Sequence, residues 1–183
     1  MQLMNDETRY GAIAQVLHWL VVILIIAQVV LASRAHALPL GPAKLVTLAQ
    51  HKSVGMTVLM LAVVRLIWRA VNRQPTSVGP DWQRRLARLS HFLLYASLVT
   101  LPILGWLMSS ARNFPVSWFG VFTFPDLIAP DNALYEFFRK AHGTLAKLFV
   151  VLALGHMLAA LKHHFIDRDD VLRRMLPGAG RRS

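Results

Sequence analysis

Four long runs of apolar residues dominate the chain, and polar or charged segments separate them. The runs cover about residues 11–32, 51–71, 91–110 and 142–161. About 20 helical residues cross the hydrocarbon core of a bilayer, where every backbone hydrogen bond must be satisfied internally. The pattern therefore predicts an all-α integral membrane four-helix bundle, formed by a single membrane domain over residues 1–183.

The first run is expected to remain in the protein rather than to be removed as a signal peptide. It is longer than the apolar region of a signal peptide, and Asp6 and Glu7 precede it beside Arg9.

The distribution of charge predicts the orientation. The net charge is +11, from 20 lysines and arginines against 9 acidic residues. The cations concentrate in the segment from Arg65 to Arg88 and after the fourth run, whereas the 33–50 loop has only Arg34 and Lys44 and the 111–141 loop is balanced. They are Arg65, Arg69, Arg73, Arg84, Arg85, Arg88, Lys162, Arg168, Arg173, Arg174, Arg181 and Arg182. Because positive loops stay on the cytoplasmic side, both termini are predicted to be cytoplasmic, and the basic charge indicates membrane lipid rather than nucleic acid.

The absence of cysteine narrows the possible chemistry. It excludes disulfides, iron–sulfur clusters, thiolate-ligated haem and covalent c-type haem. Eight histidines remain as possible ligands of a redox centre.

Four histidines occupy matching depths in the predicted bundle. His142 and His156 lie 14 residues apart on the fourth helix. A helix rises about 1.5 Å and turns about 100° per residue, so they lie about 21 Å apart along the axis and about 40° apart around it. One helix face therefore presents a histidine near each membrane surface, which is the spacing that two stacked haems require.

The topology gives each of these histidines a partner. The first helix runs outward, so His18 lies near the cytoplasm, and the second runs inward, so His51 lies near the periplasm. The predicted pairs are His51 with His142 and His18 with His156. Histidine is costly inside a membrane and indicates function there. Two histidines fill both axial positions of haem iron, which suits electron transfer, so two haem b groups are predicted.

Zinc binding and a purely structural role are the alternatives to haem binding. A shared zinc ion does not fit, because pairs about 21 Å apart cannot bind one ion. The histidines of a transporter or structural membrane protein could instead hydrogen-bond between helices and bind no haem. A colourless purified protein would favour that structural role.

Three further histidines have different predicted roles. His91 opens the third helix and is either a competing partner of His156 or a neighbour of the haem or a quinone. His163 is a candidate proton donor at a quinone site, or else a solvated interfacial residue, since histidine titrates near neutral pH. His36 is interpreted as a plain loop residue.

Lysines and small residues complete the predicted site. Lys52, Lys140 and Lys147 adjoin the outer histidine pair, where they could pair with haem propionates or attract a small anion. Gly55 and Phe149 fall on the ligand faces of their helices. The loop over 113–132, rich in proline and phenylalanine, is predicted to form an ordered cap on the outer surface.

The chain resembles the bacterial cytochrome b-561 family over nearly its whole length. The resemblance rests on "LHWLVVILII" around His18, "HKSVGMTVLMLAVVRLIWR" from His51 and "SHFLLYASLVTLPILGWLM" from His91. It continues through "AHGTLAKLFVVLALGHMLAALKHHF" and "LRRMLP". The order and spacing of these pieces together are specific, although each alone is weak.

This resemblance implies a di-haem b protein of the bacterial inner membrane that exchanges electrons with ubiquinone. It implies His18, His51, His142 and His156 as the axial ligands, in agreement with the depth argument. The implied activity is an oxidoreductase that takes electrons from superoxide at the periplasmic face. The alternative is a relay subunit of a hydrogenase- or dehydrogenase-type complex, which would receive electrons from a periplasmic redox partner.

Overall fold

The computed structural model describes residues 2–76 and 79–178, and within them four long helices form the body of the protein. Arg181 and Arg182 of the predicted basic tail lie outside this described part. The helices are α1 (Ala12–Ala37), α2 (Pro42–Val71), α3 (Asp81–Ser110) and α4 (Asn132–Phe165). Two short strands, β1 (Val116–Trp118) and β2 (Phe122–Phe124), lie between α3 and α4, and a 3-10 helix (Arg173–Met175) follows α4.

All four helices are long and apolar enough to cross a membrane, as predicted. Even the shortest, α1, has 26 residues, or about 39 Å at 1.5 Å per residue. Large apolar side chains are exposed on every helix, among them Ile23, Val64, Phe92 and Val151. An outer surface of this kind is stable against lipid and would aggregate in water.

Three helices begin well before the apolar runs that marked them in the sequence. α2 begins at Pro42 rather than near residue 51, α3 at Asp81 rather than near residue 91, and α4 at Asn132 rather than near residue 142. Proline favours the first position of a helix, and the Asp131 carboxylate caps α4 by accepting a hydrogen bond from the Leu134 N–H at 2.9 Å. The apolar runs therefore mark only the parts of these helices that cross lipid.

The buried core is small and lies halfway along the bundle. All four helices contribute to it through Val21, Val58, Ala62, Leu98 and Phe149. α1 packs against α2, α3 against α4, and α2 against α3. Above and below this apolar layer lie the histidine side chains described in the next section.

The predicted cap between α3 and α4 is confirmed, and it contains an antiparallel hairpin that the sequence pattern did not predict. Strands β1 and β2 pair with Val116 opposite Phe124. The hairpin rests on α2, because the Ser53 hydroxyl lies 2.8 Å from the Ser117 carbonyl and 3.0 Å from the Phe119 N–H. The Trp118 indole also donates to the Thr57 hydroxyl at 3.0 Å. We call this end of the bundle the hairpin end.

The opposite end, called here the terminal end, joins both terminal segments to the loop between α2 and α3. The Trp19 indole donates to the Met175 carbonyl at 2.8 Å. The Arg174 guanidinium donates to the Thr76 carbonyl at 2.8 Å, and the Thr76 N–H donates to the Glu7 carbonyl at 3.0 Å. Both terminal segments therefore lie on one side of the bundle, as an even number of spans requires.

Replacing Ser53 by alanine is expected to loosen the hairpin. The substitution removes the hydroxyl that meets two backbone groups of the hairpin, at a cost of roughly 1–3 kcal/mol. Thermal unfolding of the detergent-solubilised protein should begin at a lower temperature, and protease should cleave the 113–131 loop sooner. Ser117→Ala is the matched control, because the exposed Ser117 hydroxyl makes one weak bond of 3.4 Å. Equal behaviour of the two variants would contradict this account.

Candidate functional site

At the hairpin end, α2 and α4 place His51 and His142 opposite each other across the bundle. Their ring centroids are 6.3 Å apart, and the ring planes are 80° apart. A metal–nitrogen bond of about 2 Å on each side, together with about 1 Å from nitrogen to ring centre, gives about 6 Å between centroids. The separation therefore fits one metal ion bound between the two rings.

At the terminal end, α1 and α4 bring together His18 and His156 in the same way. Their ring centroids are 6.5 Å apart at an interplanar angle of 73°. His91 of α3 also lies beside His156, at 5.3 Å between centroids. This distance is shorter than two opposed metal–nitrogen bonds allow, so the geometry favours His18 over His91 as the partner of His156.

The hydrogen bond of His142 leaves one of its ring nitrogens available to a ligand. Nδ1 of His142 lies 3.0 Å from the Leu101 carbonyl oxygen. Because a carbonyl only accepts, Nδ1 carries the proton and Nε2 keeps its lone pair, as in most metal-bound histidines. Nδ1 of His18 and Nδ1 of His51 are buried, and neither has a hydrogen-bond partner among the described residues. Buried nitrogens without a hydrogen-bond partner are consistent with a site that binds a ligand.

A cavity of about 490 Å³ surrounds the histidine pair of the hairpin end. This volume lies within the usual range for small-molecule and cofactor sites. Its walls are mostly apolar and include glycines at Gly55, Gly105 and Gly143. A Cβ added at Gly105 would lie 3.3 Å from Cε1 of His142, so this glycine makes room for the ring. The cavity and its ring pair therefore fit a large flat cofactor with a central metal.

The three lysines predicted near this pair do not share one environment. Lys52 lines the cavity, and its ammonium donates to the Pro115 carbonyl at 3.3 Å. Lys140 and Lys147 are exposed and do not line it. Lys147 was expected to adjoin this pair, but five helical steps from His142 turn its side chain about 140° away.

Two residues near the cavity were missed or misread in the sequence. His36 is not a loop residue, because it lies in the last turn of α1 and lines the cavity. Lys44 also lines it and donates to the Leu38 carbonyl at 3.1 Å. Only the early start of α2 brings Lys44 to this position, and the apolar pattern contained no signal for it.

At the terminal end, His163 is held by carboxylates that the sequence pattern did not connect with it. Nδ1 of His163 lies 2.6 Å from an oxygen of Asp169 and 3.4 Å from an oxygen of Asp167. The Lys162 ammonium binds the Asp167 carboxylate at 2.6 Å. The chain turns back after α4, with Arg168 at a φ of 55°, and this turn brings Asp169 to the ring. The contact with Asp169 thus fixes the orientation of the His163 ring.

These features define a membrane protein with two levels of paired histidines. The chain belongs to the prokaryotic cytochrome b561 family, which matches residues 9–178. Members of this family bind haem b and transfer electrons in the membrane. The family and the four spanning helices together indicate a multi-pass protein of the inner membrane.

Individual relatives cover nearly the whole chain. The chain is 36% identical to cytochrome b561 homolog 2 of Escherichia coli (strain K12), over 96% of this chain and 95% of the relative. It is 28% identical to cytochrome b561 homolog 1 of the same organism, over 88% of this chain and 93% of the relative. It is 27% identical to a probable superoxide oxidase CybB of Yersinia pestis, over 92% of this chain and 96% of the relative.

Replacing Gly105 by valine is expected to reduce the haem content of the purified protein. The new side chain would displace the His142 ring, whose Cε1 lies only 3.3 Å from the position that a Cβ would take. Content should fall by roughly half, because only one of the two ring pairs is disturbed. Gly41→Ala is the control, because Gly41 has open space around it and lies outside the cavity. A pyridine haemochrome assay per mole of protein measures the effect, and unchanged content in Gly105→Val would contradict the proposed fit.

Proposed function

We propose that this chain is a di-haem b oxidoreductase that carries electrons from a periplasmic donor, superoxide in the first instance, to ubiquinone. The observation that carries the proposal is the presence of two imidazole pairs at two depths, with ring separations of 6.3 and 6.5 Å. His51 and His142 hold one haem, and His18 and His156 hold the other. When bound, the haems supply reversible one-electron chemistry, and their filled axial positions disfavour oxygen binding.

The orientation follows from the charges. The terminal end carries the basic segments, so the positive-inside rule assigns it to the cytoplasm and assigns the hairpin end to the periplasm. The two ligand levels are about 21 Å apart along α4. The apolar layer of Val58, Leu98 and Phe149 lies between them and keeps water out of the middle of the bundle.

Superoxide as donor is supported by one relative and by charge. The Yersinia pestis relative is named a probable superoxide oxidase. At the hairpin end of this chain, Lys52 and Lys44 line the cavity, and both are cations that attract a small anion. In the proposed reaction, two superoxide anions each lose one electron and leave as dioxygen. One ubiquinone takes up the two electrons together with two protons and becomes the quinol.

The quinone is proposed to react at the terminal end, beside His91 or His163. His91 touches the proposed ligand His156, with 5.3 Å between ring centroids, so a quinone there would lie close to the electron source. His163 is oriented by Asp169, which can hold the imidazole ready to give a proton. These two residues therefore combine access to electrons with access to cytoplasmic protons.

Substitution of the four ligands tests the pairing. His51→Ala and His142→Ala should each leave one haem per chain, and the midpoint potential of the remaining haem should be the same in both. His18→Ala and His156→Ala should leave the other haem, with a different common potential. Haemochrome assays and redox titrations of the purified variants measure both quantities.

His91→Ala is the informative control for the terminal end. It should keep both haems, because its ring lies too close to His156 for opposed ligation. If His91→Ala loses a haem while His18→Ala keeps both, the pairing at the terminal end is wrong. If the wild-type protein binds no haem, the whole proposal fails.

Electrostatic attraction of superoxide is tested by salt and by Lys52. The rate of quinone reduction by superoxide at low substrate should fall as ionic strength rises, because salt screens attraction over a distance of about 8–10 Å. Lys52→Gln should lower this rate severalfold at low salt and much less at high salt. Arg34→Gln removes an exposed cation of the same end outside the cavity and should have a smaller effect.

Two outcomes would contradict the choice of donor. A rate that does not depend on ionic strength would remove the role assigned to Lys52. A haem-loaded chain that purifies with a stoichiometric redox partner, and does not react with superoxide alone, would instead be a relay subunit.

A further inference from the structure

Arg65, a cation of α2, lies at the same depth as His18 and His156 and has no carboxylate partner among the described residues. Arg65 is half-buried in the bundle, beside the ring of Tyr95 at 5.2 Å from guanidinium to ring centroid. Among the described residues, no carboxylate lies within ion-pair distance of it. A cation at membrane depth is costly unless a counter-charge neutralises it.

Helical spacing places Arg65 at the depth of the His18 and His156 pair. Arg65 follows His51 by 14 residues, just as His156 follows His142. Fourteen steps correspond to about 21 Å along the axis and about 40° around it. The residue halfway along this interval is Val58 on α2 and Phe149 on α4, and both belong to the buried core. α2 therefore presents a histidine at one level and an arginine at the other, toward the same interior.

Electrostatic contacts agree with this position. Arg65 lies within Coulombic range of three histidines, namely His18, His91 and His156. The guanidinium thus lies beside the proposed terminal haem site rather than at the membrane surface, where the sequence alone would let a long side chain reach the headgroups.

A second phenol, Tyr10, lies within Coulombic range of Arg65 and does not supply the missing negative charge. Burial raises the pKa of the Tyr10 hydroxyl above the ordinary value. Tyr10 is therefore neutral at physiological pH. The other close groups, Arg69 and Arg174, are cations, so the cluster as a whole attracts an anion.

From these observations we infer that Arg65 binds a carboxylate side chain of the haem held by His18 and His156, and so fixes that haem in its site. The inference rests on the proposed function, because it requires a haem at this level. Guanidinium binds carboxylates with two parallel hydrogen bonds, and it remains charged when partly desolvated. A haem bound by His18 and His156 would bring two such carboxylates into the site.

The test is a redox titration of Arg65→Gln, Arg65→Lys and Arg73→Gln, with haem counted by pyridine haemochrome. Removing a nearby cation favours ferric over ferrous haem, so Arg65→Gln should lower one midpoint potential and leave the other unchanged. The shift should persist in a His51→Ala background and be absent in a His18→Ala background. Arg65→Lys should keep the potential close to that of the wild-type protein. Arg73→Gln removes an exposed cation of the same end, with a side chain 81% exposed, and should shift neither potential.

Several results would overturn the inference while leaving the proposed function intact. One is a full complement of two haems in Arg65→Gln with both potentials unchanged. Another is unchanged potentials with a raised KM for quinone, which would mean that Arg65 contacts the quinone instead. If Arg65→Gln loses a haem and Arg65→Lys keeps it, the positive charge of Arg65 is what holds that haem. If both variants lose the haem, the inference is overturned. Absence of two haems from the wild-type chain would instead refute the proposed function.

Discussion

The structure depends on one constraint: an imidazole inside hydrocarbon must have a partner. Water cannot satisfy its nitrogens there, and every unsatisfied polar group costs free energy. The chain meets this constraint with rings that face each other, His51 with His142 and His18 with His156. The Leu101 carbonyl satisfies the outer nitrogen of His142. A metal-centred cofactor bound between two rings would take up one nitrogen of each ring. Helix length, helix order and the apolar middle layer all serve to hold these rings at two depths.

The same constraint explains why the bundle leaves space beside the rings. A bundle without a cofactor would fill its centre with large apolar side chains at close packing. Here a buried cluster that includes Phe149 and Ala62 packs the middle layer, and glycines such as Gly105 border the space beside the His142 ring. The hairpin then closes one end through hydrogen bonds with α2, where Ser53 donates to the Ser117 carbonyl and Thr57 accepts from the Trp118 indole. The cavity around His51 and His142 thus leaves room for a flat cofactor at the hairpin end.

The sequence predicted those features that depend on the length and periodicity of helices. Apolar run length predicted four spanning helices, and the 14-residue spacing on α4 predicted the two histidine levels. The sequence did not predict the hairpin, because three-residue strands such as Val116–Trp118 are too short to show an alternating pattern. It also did not predict that Asp169 binds His163, since that contact depends on a turn after α4. Lys147 was misplaced because its depth alone does not determine which way the helix turns its side chain.

The two histidine levels differ in the residue that α2 supplies to each. α4 supplies a histidine at each level, but α2 supplies His51 at the hairpin end and Arg65 at the terminal end. The hairpin-end pair is therefore completed by α2 itself, whereas the terminal pair takes its second ring from α1 and has a cation beside it. A fixed positive charge stabilises the reduced state of a nearby redox centre. Under the proposed function, an arginine in place of a histidine at one level of α2 would favour electron transfer toward the terminal end, which is the direction of the proposed reduction of ubiquinone.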